Sequence, residues 1–130
     1  MIDQELIDEQ KGCRSICAII LQEDVKVLEN SYNVKVDESD SNILLGELNK
    51  SNLENNLDKL AKENDIIYFV IEEIDKIDFN KQKKYINLIK NREFRGYKIP
   101  DNVIIVITIE NKESLKKISP ELYHFCIVAF

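Results

Sequence analysis

Residues 65–82 read DIIYFVIEEIDKIDFNKQ, and this stretch decides the fold class. Residues 66–71 are continuously apolar or aromatic, which is typical of a parallel strand that is covered on both faces. Glu72 and Glu73 follow directly, and Asp78 is placed to cap a helix after them. The stretch therefore predicts a buried strand, an acidic strand end and a helix, as in the alternating units of an α/β domain.

Other apolar runs along the chain have the length of strands. They are SICAIIL (15–21), VIIVITI (103–109) and YHFCIVAF (123–130), with a short NVKV (33–36) that is typical of an edge strand. Because strand and helix patterns alternate, we expect one α/β domain over residues 1–130, a three-layer sandwich with a mostly parallel sheet. Ligands of such sheets bind beyond the carboxyl ends of the strands, which here are residues 22–24, 72–76 and 110–112.

The segments between these strands have helical patterns. They are residues 23–30; Ile43, Leu44 and Leu48; a capping box of Ser51 and Glu54 before a stripe of Leu53, Leu57, Leu60 and Ala61; and the helix capped by Asp78, with Tyr85, Ile86 and Ile89 facing inward. Each pattern places apolar side chains on one face, so the sequence predicts helices that pack on the sheet.

Charge and hydropathy exclude several classes of protein. The chain has 18 basic and 24 acidic residues, a net charge of −6, and lacks a basic block, which argues against a nucleic-acid partner. The N-terminal residues are acidic, unlike a secretory signal, and no apolar run approaches the roughly 18 residues of a membrane helix. The sequence predicts a cytoplasmic protein without a membrane partner.

Three cysteines and one histidine could formally supply a zinc site, but their spacing does not support one. Cys13, Cys17 and Cys126 form no CxxC pair, and a single histidine excludes an HxxxH pair. We therefore expect no metal. Cys17 and Cys126 lie among isoleucine, valine, alanine and phenylalanine, a setting typical of small buried hydrophobic residues.

Several stretches together resemble a known family. IIYFVIEEIDKI (66–77), NREFRGYKIPDNVIIVITIEN (91–111), SPELYHF (119–125) and DESDSNILLGEL (37–48) resemble the core of AAA+ ATPases, especially the MoxR-like and dynein-related branch. The resemblance covers roughly residues 37–127. It implies the sheet order 5-1-4-3-2 of P-loop NTPases, which would place the last strand beside the first and bring Cys17 close to Cys126. The helical lid of that family has no counterpart, so we expect a single AAA+-like domain without one.

The resemblance also assigns positions to four polar residues. Glu72 falls where the family has a magnesium-coordinating aspartate, and Glu73 where it has the glutamate that polarises the attacking water. Glu110 replaces the usual sensor asparagine, and Asn111 is displaced by one residue. A glutamate reaches one methylene further than an aspartate, which disturbs the near-ideal octahedral geometry that Mg²⁺ demands. Glu72, Glu73 and Asn111 are therefore candidates for a vestigial catalytic site.

The phosphate-binding loop of the family is missing. That loop, GxxxxGK[ST], surrounds phosphates with backbone amides and a lysine. After the first strand this chain has IILQEDVKVLENSYN (19–33), which contains no glycine and presents Glu23 and Asp24. The sequence therefore predicts no nucleotide cofactor and no hydrolytic activity.

The function that follows from the resemblance is a non-hydrolysing AAA+-like interaction or regulatory module. Phe94, Arg95 and Tyr97 lie on an expected hairpin, and aromatic and arginine side chains are common anchors of interfaces. We expect them to contact a protein partner, either an ATPase subunit or a second copy of the chain. Local packing of the hairpin is an equally good explanation of these residues.

Two alternatives remain open on the sequence. The first is a weak or partner-dependent ATPase that borrows a lysine and a lid from another chain. The second is a pseudo-receiver signalling domain, because CAIILQEDVKVLEN (17–30) also resembles the opening of a receiver domain. There Glu73 would replace the phosphorylated aspartate and Thr108 the switch hydroxyl, although the lysine of the last strand is missing. A receiver topology places the last strand beside residues 103–109, so strand order distinguishes it from the ATPase topology.

Overall fold

The computed structural model describes residues 2–13, 15–36, 56–94 and 96–130. Within these ranges the strands are β1 (Cys17–Leu21), β2 (Ser31–Lys35), β3 (Ile67–Glu72), β4 (Glu93–Phe94), β5 (Tyr97–Lys98), β6 (Val103–Ile109) and β7 (Cys126–Val128). The α-helices are α1 (Gln4–Asp8), α2 (Asp58–Glu63), α3 (Phe79–Asn91) and α4 (Pro120–Tyr123). Three 3₁₀ helices span Gln22–Val27, Ile74–Lys76 and Lys112–Lys117. The α/β class that the sequence predicts is confirmed.

The main sheet contains five parallel strands in the order β2-β3-β6-β1-β7, and β4 with β5 forms a separate antiparallel hairpin. The labels differ from the expected 5-1-4-3-2 because the two hairpin strands take two places in the count. Numbering only the main-sheet strands, from 1 to 5 along the chain, gives 2-3-4-1-5, which is 5-1-4-3-2 read from the other edge.

The position of the last strand separates the two topologies that the sequence left open. β7 pairs with β1 in parallel, and Cys17 lies directly opposite Cys126. The receiver-like alternative required β7 beside β6, but both sheet neighbours of β6 are other strands, β1 and β3. The strand order therefore contradicts the receiver topology.

The sheet separates two apolar clusters, because successive side chains of a strand point to opposite faces. One cluster contains Ile19, Phe69, Ile105 and Tyr85, and α3 and the hairpin pack on that side. The other contains Ile7 of α1 with alternate residues of the same strands, such as Ile20, Tyr68, Val70 and Val106. All seven residues of β6 are buried, as expected for a central strand that is covered on both faces. This arrangement is the predicted three-layer sandwich.

Helix α3 begins where the sequence predicts. The Asp78 carboxylate accepts a hydrogen bond from the backbone N–H of Lys81 at 2.9 Å, which satisfies one of the free donors of the first turn. Tyr85 and Ile89 are fully buried, whereas Ile86 is only half-buried. A left-handed residue, Arg92, ends the helix and leads into the hairpin.

One other helix prediction is wrong, and two concern residues that the structure does not describe. The helix expected at residues 23–30 is instead the 3₁₀ helix Gln22–Val27. The spacing of Ile43, Leu44 and Leu48 and the capping box of Ser51 and Glu54 fall outside the described residues. Of the predicted stripe that follows, Leu57 is fully buried and packs in the cluster that contains Tyr85. None of the described helices combines the length and the apolar run that crossing a bilayer requires.

Candidate functional site

The polar residues singled out from the sequence meet at the carboxyl ends of β1, β3 and β6. These three strands are neighbours, since β6 pairs with β1 on one side and with β3 on the other. Gln22 follows β1, Glu72 ends β3, and Thr108 is the penultimate residue of β6. This is the edge at which open α/β sheets bind ligands.

Hydrogen bonds connect these three side chains. The amide nitrogen of Gln22 donates to Oε1 of Glu72, and the hydroxyl of Thr108 donates to the amide oxygen of Gln22. The same hydroxyl accepts the backbone N–H of Glu73 at 2.8 Å. Thr108 is fully buried, so each of these bonds satisfies a group at or near the interior. The Gln22 side chain thus spans the gap between two strand ends, where a ligand of this edge would otherwise bind.

Glu73 adopts a left-handed backbone conformation, with φ 64° and ψ 43°. Its carboxylate lies 3.3 Å from the ammonium group of Lys35, at the end of the edge strand β2. The Lys35 side chain is largely exposed, so this ion pair contributes at most about 1 kcal/mol. The pair nevertheless gives the Glu73 carboxylate a cationic partner within the chain.

A second acidic cluster lies beside this network. Asp75 is buried; its Oδ2 accepts the backbone N–H of Glu110 at 3.2 Å, and its Oδ1 has no hydrogen-bond partner among the described residues. Lys76 and Glu110 form an exposed ion pair of 2.9 Å. Their hydrogen bond raises the pKa of Lys76 and lowers the pKa of Glu110, because each group stabilises the charged form of the other.

Asn111 acts as a helix cap. Its amide oxygen accepts the backbone N–H and the hydroxyl of Ser114, both at 3.2 Å, at the start of the 3₁₀ helix Lys112–Lys117. The sequence places Asn111 one position away from the family's sensor asparagine, and these contacts explain its presence without any ligand. A vestigial catalytic role for Glu72, Glu73 and Asn111 stays a prediction.

The segment after β1 differs from a phosphate-binding loop. Gln22–Val27 is a six-residue 3₁₀ helix with Glu23 and Asp24 in its first turn. Negative side chains at this position oppose an anionic ligand. Among the residues that the structure describes, no group of three or more histidine, cysteine, aspartate or glutamate side chains could hold a metal ion.

The hairpin β4–β5 forms as the sequence predicts, and its two aromatic residues pack against the rest of the domain. Tyr97 is only 4% exposed, and its hydroxyl donates to the carboxylate of Asp58 in α2. Phe94 is half-buried against the apolar cluster beneath the hairpin, and Arg95 falls outside the described residues. The burial of Tyr97 fits local packing of the hairpin, the alternative that the sequence left open. An interface role for the hairpin stays a prediction.

An apolar surface that the sequence interpretation missed lies between α3 and the C-terminal segment. Phe79 and Tyr123 are 45% and 42% exposed, which is unusual for large aromatic side chains. A groove of about 550 Å³ separates them, and its other lining residues are Leu115, Lys116, Ile118 and Pro120. We name this surface the Phe79–Tyr123 groove. The sequence carries no signal of this exposure, because Phe79 lies seven residues before Ile86 and so on the same side of α3 as the predicted inward stripe.

Comparison of the chain with protein families and with curated proteins finds no match. Function must therefore be inferred from the residues described above.

Proposed function

We propose that this chain is a non-hydrolysing protein-interaction module built on an AAA+-like core. The proposal rests mainly on the Gln22–Glu72–Thr108 network. Its intramolecular hydrogen bonds occupy the carboxyl edge of the sheet. A nucleotide at this edge would have to displace Gln22 and leave Glu72 and Thr108 without their present partner. Breaking such bonds without replacing them is unfavourable.

Electrostatics support the same proposal. A nucleoside triphosphate carries several negative charges, and Glu23, Asp24 and Glu72 all lie around the carboxyl end of β1. Two like charges about 4 Å apart near a protein surface repel each other by about 4 kcal/mol. No glycine occurs between residues 13 and 45 to let the backbone wrap a phosphate. Glu73 cannot activate a water for attack unless a substrate is positioned beside it.

The first test is nucleotide binding. Titration of the chain with ATP and Mg²⁺ is expected to give no saturable heat by isothermal calorimetry, and incubation is expected to release no phosphate. The Gln22→Ala variant, which removes the bridging amide, should behave in the same way because the edge still lacks a phosphate cradle. Micromolar binding with phosphate release by the chain alone would contradict the proposal. Release only after an ATPase subunit is added would favour the partner-dependent alternative.

The interaction half of the proposal rests on the Phe79–Tyr123 groove. Exposed aromatic side chains around an apolar groove are the residue types that anchor protein interfaces. Lys116 lines the groove, and its 3₁₀ helix KESLKK has three lysines against one glutamate on a chain of net charge −6. This charge favours an acidic partner surface, and a second copy of the chain supplies one. Contact between two different surfaces of one chain is head-to-tail and produces rings or filaments.

The second test is therefore self-association. Sedimentation velocity over a concentration series is expected to show oligomers of the wild type. Tyr123→Asp should weaken assembly by about 30-fold or more, since loss of an aromatic anchor costs about 2 kcal/mol or more. Val27→Asp is the matched control, because Val27 is 49% exposed but does not line the groove. Equal effects of the two variants would contradict a contact at the groove, and a monomeric wild type would contradict self-association.

A further inference from the structure

Two free thiols face each other across the first and last strands. Cys17 of β1 and Cys126 of β7 are direct partners in the parallel register, and their sulfur atoms are 3.3 Å apart. Neighbouring strands lie about 4.8 Å apart, within the Cα separation of about 4.4–6.8 Å that a disulfide requires. Small rotations of the two side chains would bring the sulfurs to the bonding distance of about 2.05 Å.

The two thiols differ in exposure and in protonation. Cys17 is fully buried, whereas Cys126 is half-buried and reaches solvent. The Cys126 thiol donates to the carbonyl of Leu122 at 3.2 Å, so its sulfur is left to accept the proton of Cys17. The hydrogen bond to Cys126 and, after it, burial raise the pKa of the Cys17 thiol. Cys126 is therefore the sulfur that an outside reagent meets first, and Cys17 keeps its proton.

We propose that Cys17 and Cys126 form a dithiol that a hydroperoxide oxidises to an intramolecular disulfide between β1 and β7. This inference is independent of the proposed function, since it uses neither the carboxyl edge of the sheet nor the Phe79–Tyr123 groove. The exposed Cys13 takes no part in it.

The reaction has two steps that balance. The Cys126 thiol releases its proton to solvent, and the resulting thiolate attacks one peroxide oxygen. The O–O bond breaks, and the departing hydroxide or alkoxide takes a proton from solvent to leave as water or an alcohol. Cys126 is then a sulfenic acid. The sulfur of Cys17 attacks the sulfur of Cys126, the S–O bond breaks, and the departing hydroxide takes the Cys17 proton to form water. The two thiols lose two electrons, and the peroxide gains them.

The disulfide would link the short edge strand β7 covalently to β1. β7 has three residues and lies at the edge of the sheet, where β1 is its one neighbour among the strands that the structure describes. The bond would close a loop between residues that are 109 positions apart, and in the chain-entropy account longer loops give greater stabilisation. Oxidation should therefore raise the urea concentration at which the chain unfolds.

The experiment uses the full, reduced chain and hydrogen peroxide as the probe. After oxidation the chain is unfolded without reductant, alkylated and weighed by mass spectrometry. We expect one alkylated thiol instead of three, the loss of two hydrogen masses, and a linked peptide that contains Cys17 and Cys126. The Cys13→Ser variant should give the same linked peptide, a higher urea midpoint after oxidation, and reversal of both changes by a reductant.

Two alanine variants test the order of attack. In Cys17→Ala the reaction should stop at Cys126 sulfenic acid, which a 1,3-diketone reagent traps. In Cys126→Ala the buried Cys17 should remain a thiol. The inference would be overturned if Cys13→Ser kept two alkylatable thiols after peroxide treatment, or if the wild type linked Cys13 instead. Trapping of sulfenic acid at Cys17 in the folded Cys126→Ala variant would equally contradict it. The wild-type peptide map needs no variant, so a folding defect in either alanine variant leaves the test intact.

Discussion

Replacing Gln82 with leucine is expected to lower the free energy of unfolding by about 3–5 kcal/mol. Gln82 is fully buried in α3. Its amide nitrogen lies 3.2, 3.0 and 2.7 Å from the carbonyl oxygens of Ile74, Ile77 and Lys117, and its amide oxygen accepts the N–H of Ser119 at 2.7 Å. Leucine has a similar volume but no polar atom. The substitution would therefore leave several buried backbone groups unpaired, each costing about 1–3 kcal/mol.

The position of Gln82 explains why one side chain has so large an expected effect. Its amide joins α3 to the loop after β3, to the loop after β6 and to the cap of α4. The two loops carry the carboxyl edge of the sheet and the Phe79–Tyr123 groove, so Gln82 holds both candidate surfaces in place. We therefore expect its replacement to destabilise the whole domain and not only the first turns of α3.

Urea unfolding followed by circular dichroism measures the change. Gln10→Leu is the matched control. Among the described residues, the side-chain amide of Gln10 makes one hydrogen bond, which it donates to the carbonyl of Leu6 at 3.0 Å near the surface. That variant should lose at most about 1 kcal/mol. A Gln82→Leu variant that is as stable as Gln10→Leu would show that the four contacts of Gln82 contribute little.

Replacing Arg92 with alanine is expected to cost about 2–4 kcal/mol, the second-largest effect. Arg92 is buried at the end of α3, and its guanidinium donates from Nη2 to the carbonyls of Pro100 at 2.7 Å and Val103 at 2.6 Å. Hydrogen bonds to charged groups contribute about 1.5–3 kcal/mol. Its backbone is also left-handed, with φ 53°, a conformation that costs a residue with a Cβ atom roughly 1–2 kcal/mol.

A pair of variants separates the side chain from the backbone. Arg92→Gly loses the same guanidinium contacts but adopts the left-handed conformation freely, so it should be about 1 kcal/mol more stable than Arg92→Ala. Thermal and urea unfolding of both variants give the comparison. Wild-type stability of both would contradict the role of the guanidinium, and equal destabilisation of both would contradict the backbone contribution.

The parts of the fold that local patterns encode were predictable. Residues 103–109 form a strand with the predicted bounds, because a short run of six Val and Ile residues, interrupted only by Thr108, is typical of a strand covered on both faces. Asp78 caps α3 as expected, since a cap depends on residues three positions apart. The 3₁₀ helix Gln22–Val27 was mistaken for the start of an α-helix. Of its apolar residues, Val25 packs only partly buried against the second apolar cluster and Val27 is exposed, so the segment lacks the buried stripe of a longer α-helix.

The candidate site was predictable only in its location. Parallel strands fix which residues reach the carboxyl edge, so Glu72, Glu73 and Thr108 could be placed there from the chain alone. The bridge from Gln22 to Glu72 and Thr108 could not, because it joins residues 50 and 86 positions apart. The same holds for the hydrogen bond from Tyr97 to Asp58, which joins residues 39 positions apart.

Local patterns located the strands of the main sheet, α3 and the lack of a glycine-rich loop after the first strand, because periodicity and composition act over a few residues. The bounds were less exact: the strand predicted at 123–130 spans only Cys126–Val128, since Pro120–Tyr123 is helical. Only the tertiary structure shows that Gln22 fills the edge of the sheet and that Tyr97 is buried. The sheet order implied by the resemblance placed Cys17 near Cys126, and the structure gives their sulfur atoms a separation of 3.3 Å. These contacts arise when strands distant in the chain become neighbours, and that pairing depends on the packing of the whole sheet and not on any local pattern.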